Sequence, residues 1–224
     1  MRVRWILPVA CGVAMTLSLA AQNKVEYAPA TDMPLDRIAE SYAIYQALLP
    51  SNSIEWSDAQ RTQWLLEAAT TAKPLSIACD ASQMNNLSSA VSPPPERKAE
   101  WDEVLADYQA HCHERYRLNG ANLKLRLPVR LLDEEAQSRY WQGVSGFMPP
   151  KDHIMQAPPT PDDFKGAAGL HSFSAVYFNR AHTLAATYFG MGCGSLCGNW
   201  TWVVLQKTPA GWRRLGWVHT FTVS

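Results

Sequence analysis

The chain has 224 residues, with 20 basic and 20 acidic side chains and a formal net charge of zero. That balance argues against a nucleic-acid partner, which needs a basic footprint. With 47% hydrophobic residues, the chain can bury one sizeable core, enough for one domain or a domain with an appendage.

The chain opens MRVRWILPVACGVAMTLSLAAQ, where Arg2 and Arg4 precede an uncharged run from Trp5 to Gln22 and Ser18, Ala20 and Ala21 close it. A basic start, a short apolar stretch and a small-residue exit are the marks of a secretory signal peptide, cut here after Ala20 or Ala21. The alternative is an uncleaved anchor. Against it, a membrane span needs about 20 apolar residues, and this run is short and contains Pro8 and Gly12. The expected division is residues 1–21 as signal peptide and residues 22–224 as a single domain. No later stretch is long and apolar enough to span a bilayer, so no membrane partner is expected after cleavage. Export also changes the meaning of the cysteines. Cys11 leaves with the leader, and Cys79, Cys112, Cys193 and Cys197 remain. An even count in an oxidising compartment favours disulfides. Three pairings exist, and the local one, Cys79 with Cys112 and Cys193 with Cys197, asks for the least rearrangement.

The first helix reads from TDMPLDRIAESYAIYQALLP. Thr31 or Asp32 can cap it, Pro34 suits its first turn, and Leu35, Ile38, Tyr42, Tyr45 and Leu49 fall three or four apart on one face. A second helix is expected over SDAQRTQWLLEAATTAK, where Ser57 and Gln60 have capping-box spacing and Trp64, Leu65 and Ala68 would face inward. PLSIAC reads as a short strand or a buried connection. Residues 80–97, with three consecutive prolines and many Ser and Asn, read as a long exposed loop.

The strongest helix runs through PERKAEWDEVLADYQAHCHERYRL, where Trp101, Val104, Leu105, Tyr108 and Cys112 form one apolar stripe. The period then switches. Leu123, Leu125, Leu127, Val129 and Leu131 alternate with Lys124, Arg126 and Arg130, as in a half-buried strand. Pro128 cannot donate to a ladder, which points to an edge strand or a bulge. A short helix is expected over DEEAQSRYWQ, followed by a second loop-rich stretch near residues 146–169.

The last third consists of four aromatic, β-branched runs, HSFSAVYFN, TLAATYFGM, WTWVVLQK and WRRLGWVHTFTV, separated by short connections. Short connections imply antiparallel neighbours, hence a β-meander. In its last strand Leu215, Trp217, His219, Phe221 and Val223 share a face. Helices first and a meander afterwards give an α+β fold with N-terminal helices packed on a C-terminal antiparallel sheet. A curved NTF2-like or cystatin-like sheet would suit that order of elements.

The segment GMGCGSLCGNW, residues 190–200, admits four chemical readings. A nucleophile elbow needs Gly-x-Ser-x-Gly before a helix; here Cys193 and Cys197 flank Ser195 and a strand follows. A phosphate loop fails for want of that same helix. A zinc site would have to recruit His111 and His113, which lie about 200° apart on a helix, so no metal and no cofactor are expected. A redox pair usually has Cys-x-x-Cys at a helix start, whereas these cysteines are one residue further apart at a strand turn. The remaining reading is a disulfide staple across a hairpin tip, with Gly192, Gly194 and Gly198 supplying positive φ. Closing so small a loop contributes about 2 kcal/mol, against nearly 4 for the loop from Cys79 to Cys112. Tyr188, Trp200 and Trp202 beside the tip are candidate binding residues. Lys124, Arg126 and Arg130 would hold an anion if their face lined a cavity. His219 reads as a core histidine or, alternatively, an acid–base residue. His153 and His171 flank the second loop-rich stretch near Asp152, Asp162 and Asp163, where an acid–base pair would need a fixed geometry.

Phe173 to Asn179, Leu184 to Phe189, Cys193 to Gly198, and Trp200 to Lys207 with Gly211-Trp212 carry a further signal. This pattern resembles a group of uncharacterised exported bacterial proteins with an FSxVxFN strand and a CGxLCG turn, and SYAIYQALL is similar to their first helix. The resemblance covers about a third of the chain well. It implies an exported α+β domain of the periplasm, cell surface or medium and implies no activity. The leading expectation is a non-enzymatic module that binds a small molecule or a protein. The alternatives are a hydrolase-type enzyme with a His/carboxylate site and a thiol redox factor.

Overall fold

The computed structural model describes residues 25–49, 61–77, 79, 86–144, 162–194, 197–219 and 222–223. The expected signal peptide, the Ser57–Gln60 capping box and His153 lie outside them. The fold is α+β. Its helices are α1 (Leu35–Leu48), α2 (Leu87–Ala90), α3 (Lys98–His111) and α4 (Glu134–Val144). Its strands are β1 (Ala30–Asp32), β2 (Trp64–Glu67), β3 (Arg115–Arg117), β4 (Val129–Leu132), β5 (Leu170–Phe173), β6 (Tyr177–Phe178), β7 (Leu184–Gly194), β8 (Cys197–Thr208), β9 (Gly211–Leu215) and β10 (Thr222–Val223). β1 and β3 form a small parallel pair. The rest form one mixed sheet in the order β10-β8-β7-β5-β2-β4, with β6 beside β7 and β9 beside β8.

The meander is present: β6, β7, β8 and β9 follow one another as antiparallel neighbours. The predicted last strand breaks after Leu215, because the chain turns at Gly216-Trp217 and only β10 returns to pair with β8. The sheet also extends further than expected. The segment read as a second helix contains β2, which lies between β4 and β5 and runs parallel to both. Trp64, Leu65 and Leu66 are all buried. A strand covered on both faces reads as a continuous apolar run rather than an alternating one, so the same residues also satisfied a helical spacing. Parallel neighbours need long crossovers; α3 lies between β2 and β4 in the chain, and α4 between β4 and β5.

Other boundaries move for local reasons. Leu123 to Pro128 lie outside any strand, and β4 forms only where β2 offers a neighbour. β4 is an edge strand, in keeping with Pro128, whose carbonyl accepts the Trp64 amide at 2.9 Å. Thr31 and Asp32 belong to β1 instead of capping α1, which starts after Pro34 without a side-chain cap and leaves Leu35 89% exposed. The expected exposed loop over residues 80–97 is anchored in its described part. Asn86 caps α2, and Leu87, Ala90 and Val91 are buried. In the second loop-rich stretch, Phe164, Ala167 and Ala168 are buried as well.

Alternation along the strands sorts the sheet into two faces. One lies under α1. Its Phe173 stacks on Tyr45 at 4.4 Å and on Phe189 at 4.7 Å, and the Tyr45 hydroxyl donates to the Ser174 carbonyl at 3.0 Å. The other lies under α3 and α4. Tyr108 of α3 meets Tyr177 and Trp202 edge-on, at 5.0 and 5.6 Å. Tyr140 of α4 packs with Leu65, Leu132, Phe164 and Leu170 in a second cluster. Arg37 of α1 and Asp107 of α3 join around the β6 edge. They form a two-bond ion pair at 2.9 and 2.5 Å, while Arg37 also donates to the Val176 carbonyl and Asp107 accepts the Phe178 amide. This clasp occupies backbone groups that a bare edge strand would leave open to another chain.

Candidate functional site

The face under α3 and α4 is not filled beside α3. A cleft of about 350 Å³ opens there, with Glu67, Ser172, Tyr188, Trp200 and Trp202 from the sheet. Tyr108 and Cys112 line it from the α3 side, and Thr71 and Lys73 from the segment after β2. The ladder places these side chains together. Tyr188 of β7 pairs with Trp202 of β8, and Gly190 with Trp200, so both indoles and the phenol emerge on one face of neighbouring strands. Ser174 lines the cleft too, but its hydroxyl is engaged in the kink between β5 and β6, donating to the Ala175 carbonyl and accepting the Tyr188 amide.

Two glycines explain how indole rings lie on this face. A Cβ on Gly190 would overlap the Trp200 ring, and one on Gly192 would overlap the ring of Trp141 from α4. Gly192 is therefore required for close approach, not for the positive φ expected of it; of Gly192, Gly194 and Gly198, only Gly194 has positive φ.

Among the described residues, two charged ones line the cleft. Glu67 ends β2, partly buried, and its carboxylate makes no hydrogen bond or ion pair among the described residues. Desolvation raises its pKa to about 7, and the more distant Arg115 only partly opposes that. Lys73 is partly buried, and desolvation holds its pKa below the usual lysine value. Its backbone is fixed: the amide donates to the Cys112 carbonyl at 2.9 Å, and its own carbonyl lies 3.2 Å from Nδ1 of His113.

Both local disulfides form. Cys79 and Cys112 are bonded with Cα atoms 6.0 Å apart, tying the foot of α3 to the segment beside the cleft. Cys193 and Cys197 are bonded with Cα atoms 5.1 Å apart across the tip of the β7–β8 hairpin. Both of these cysteines are buried, packed with Ala168 and Met191. The sulfurs of Cys79 and Cys112 and a ring nitrogen of His113 lie within 4.8 Å of one another. The bonded sulfurs carry no thiolate, which leaves one imidazole as a donor. His111 points elsewhere, with Nδ1 at 3.0 Å from Oδ1 of Asp107.

Of the candidate binding residues, Tyr188, Trp200 and Trp202 all line the cleft. Lys124, Arg126 and Arg130 do not. Lys124 and Arg126 are exposed, and Arg130 lies over the Phe164 ring and donates to the Asp163 carbonyl. His219 is exposed rather than in the core, with Nε2 3.0 Å from the Ser89 carbonyl, because the strand expected to carry it ends at Leu215. His171 is not beside a loop but inside β5, on the face under α1. It is 1% exposed, edge-on to Trp64 and stacked with Phe189. Burial lowers its pKa to about 4, so it is neutral at physiological pH. Neither histidine has a carboxylate partner among the described residues. Glu67 and Lys73 were missed because residues 57–73 read as an amphipathic helix, on which both pass as solvated. The short apolar run Trp64-Leu65-Leu66 followed by Thr70-Thr71 was the available sign of a strand.

No family model matches the chain, and no curated protein and no solved structure matches it either.

Proposed function

We propose that this chain is an exported ligand-binding domain that takes a small molecule into the cleft beside α3. The observation that carries this reading is the desolvated Glu67 carboxylate, without a partner among the described residues, on the floor of an aromatic cleft. A buried carboxylate costs stability unless something pairs with it, and retaining one in a concave aromatic site suits a ligand that supplies the missing donor. The volume lies at the small end of the range for small-molecule sites, roughly 300–1,000 Å³. Two buried disulfides, the leader-like start and the likeness of the C-terminal third to exported bacterial proteins support an oxidising compartment. The burial of all four cysteines favours staples over a redox pair, whose reactive thiol is normally accessible.

The test is intrinsic tryptophan fluorescence of the oxidised chain during titration with a panel of polar metabolites. A saturable change that is lost in Trp200→Phe supports the cleft; a response indifferent to that substitution removes it. One observation favours an enzymatic second reading. A carboxyl with a pKa of about 7 in a cleft is suited to proton transfer. Under that reading Glu67→Gln abolishes turnover of a bound ligand; under the binding reading the bound ligand is recovered unchanged.

A further inference from the structure

We propose that the occupant of the cleft is a small zwitterion, with a cationic amine at one end, a carboxylate at the other and an apolar or ring-shaped body between them. This rests on the reading of the cleft as a ligand site. The argument is one of unmatched charge. Among the described residues, Glu67 and Lys73 are the acidic and the basic residue that line the cleft. No ion pair joins them, and neither side chain has a hydrogen-bond partner among the described residues. A lysine and a glutamate that shared a cavity merely for stability would be expected to meet, since pairing offsets much of the desolvation of both. Held apart, each is a separate receptor for an opposite charge. An occupant with one charge would leave the other residue's charge buried and unmatched, and a neutral occupant would leave both.

The backbone keeps the two ends apart. Glu67 is fixed in register opposite Leu132 of β4. The chain then runs along Tyr116 and Phe173, through the Thr70 and Thr71 amides, to Lys73 at the foot of α3. The rings of Tyr188, Trp200 and Trp202 line the same cleft. Such rings accept an apolar body by stacking and stabilise an ammonium group over their faces. At about 350 Å³ the cleft suits one metabolite-sized molecule rather than a folded partner.

The test is calorimetric titration of the oxidised full chain at pH 8 with three zwitterions of increasing charge separation: phenylalanine, 4-(aminomethyl)benzoate and 6-aminohexanoate. Benzylamine, benzoate and glucose are the single-charge and neutral probes. At least one zwitterion is expected to bind about tenfold or more tightly than benzylamine and benzoate. Glu67→Gln and Lys73→Met should each weaken that zwitterion by about tenfold. Glu67→Gln should leave benzoate unchanged, and Lys73→Met should leave benzylamine unchanged. The proposal is overturned if a single-charge probe matches all three zwitterions, if either variant binds the zwitterion as the parent does, or if no zwitterion binds. Glucose binding that Trp200→Phe abolishes would overturn the zwitterion yet keep the cleft as a ligand site. Silence from every probe, glucose included, would count against both.

Discussion

The same strands build both faces of the sheet, and the two faces end up differently packed. Under α1, Tyr45, Phe173 and Phe189 stack in one continuous aromatic column, His171 is buried neutral, and Lys207 of β8 is paired with Glu40 of α1. Under α3 and α4 there are aromatic residues too, but beside α3 Tyr188, Trp200 and Trp202 line a cavity with Glu67 in its floor. Aromatic content therefore does not distinguish a core from a site. What distinguishes them is whether a helix covers the rings and whether the charges among them are matched.

The largest test of this contrast is a truncation in the filled face. Phe173→Ala should cost about 3–5 kcal/mol, as large-to-small changes in a close-packed core do, measured by urea unfolding. Trp200→Phe in the open face should cost far less and act on binding instead. If the two cost the same, the faces are not differently packed.

The second test uses pH. His171 has a folded pKa of about 4, below the ordinary value of about 6.5. The unfolded chain therefore takes up the proton first as pH falls. The stability linked to this group is fully present above about pH 6.5 and is lost as pH drops toward 4, by up to about 3 kcal/mol. Glu67 behaves oppositely. Its folded pKa is raised to about 7, so its contribution is fully present below the unfolded value of about 4.5 and is lost as pH rises through 7. Across the shared window the two slopes oppose each other. His171→Phe leaves the Glu67 slope unopposed, so its unfolding midpoint should rise between pH 6 and pH 4.5 relative to that of the parent; a variant whose pH profile runs parallel to the parent's would place the acid-side cost elsewhere.

A smaller effect is expected at the glycines. Gly190→Ala should displace the Trp200 indole and cost about 1–3 kcal/mol by overpacking, with a shift in the Trp200 share of the fluorescence. An unshifted spectrum would mean that the ring does not lie on Gly190. The smallest effect has the opposite sign. Glu67→Gln removes a desolvated charge and should raise stability on the order of 1–2 kcal/mol at pH 8, with no gain at pH 4.5, while weakening ligand binding. A destabilised Glu67→Gln protein at pH 8 would make Glu67 a structural residue and erase the contrast between the faces.

The sequence was legible wherever a long element repeats its pattern. α1, α3 and α4 follow the 3.6-residue period of Tyr42-Tyr45, Trp101-Val104-Tyr108 and Ala136-Tyr140. β7 and β8 follow from aromatic and β-branched runs around a glycine turn. The disulfide pairs followed from counting cysteines, and three residues of the cleft, Tyr188, Trp200 and Trp202, from their place beside the hairpin. β2 was not legible, because a four-residue strand whose first three residues are all buried carries no period. With it went Glu67 and Lys73, whose partial burial depends on neighbours distant in sequence.

The sequence by itself therefore determined the α+β class, the meander and the staples, because local periodicity, turn chemistry and cysteine count act over a few residues. Only the tertiary structure decided that Trp64–Glu67 is a strand between β4 and β5, that a cleft stays open beside α3, and that a glutamate and a lysine line it unpaired among indoles. Those outcomes depend on parallel pairing and helix placement between segments far apart in the chain. Gly190 and Gly192 show the division. Their type is written in the sequence, but the reason for it is two tryptophan rings that only the folded chain brings over them.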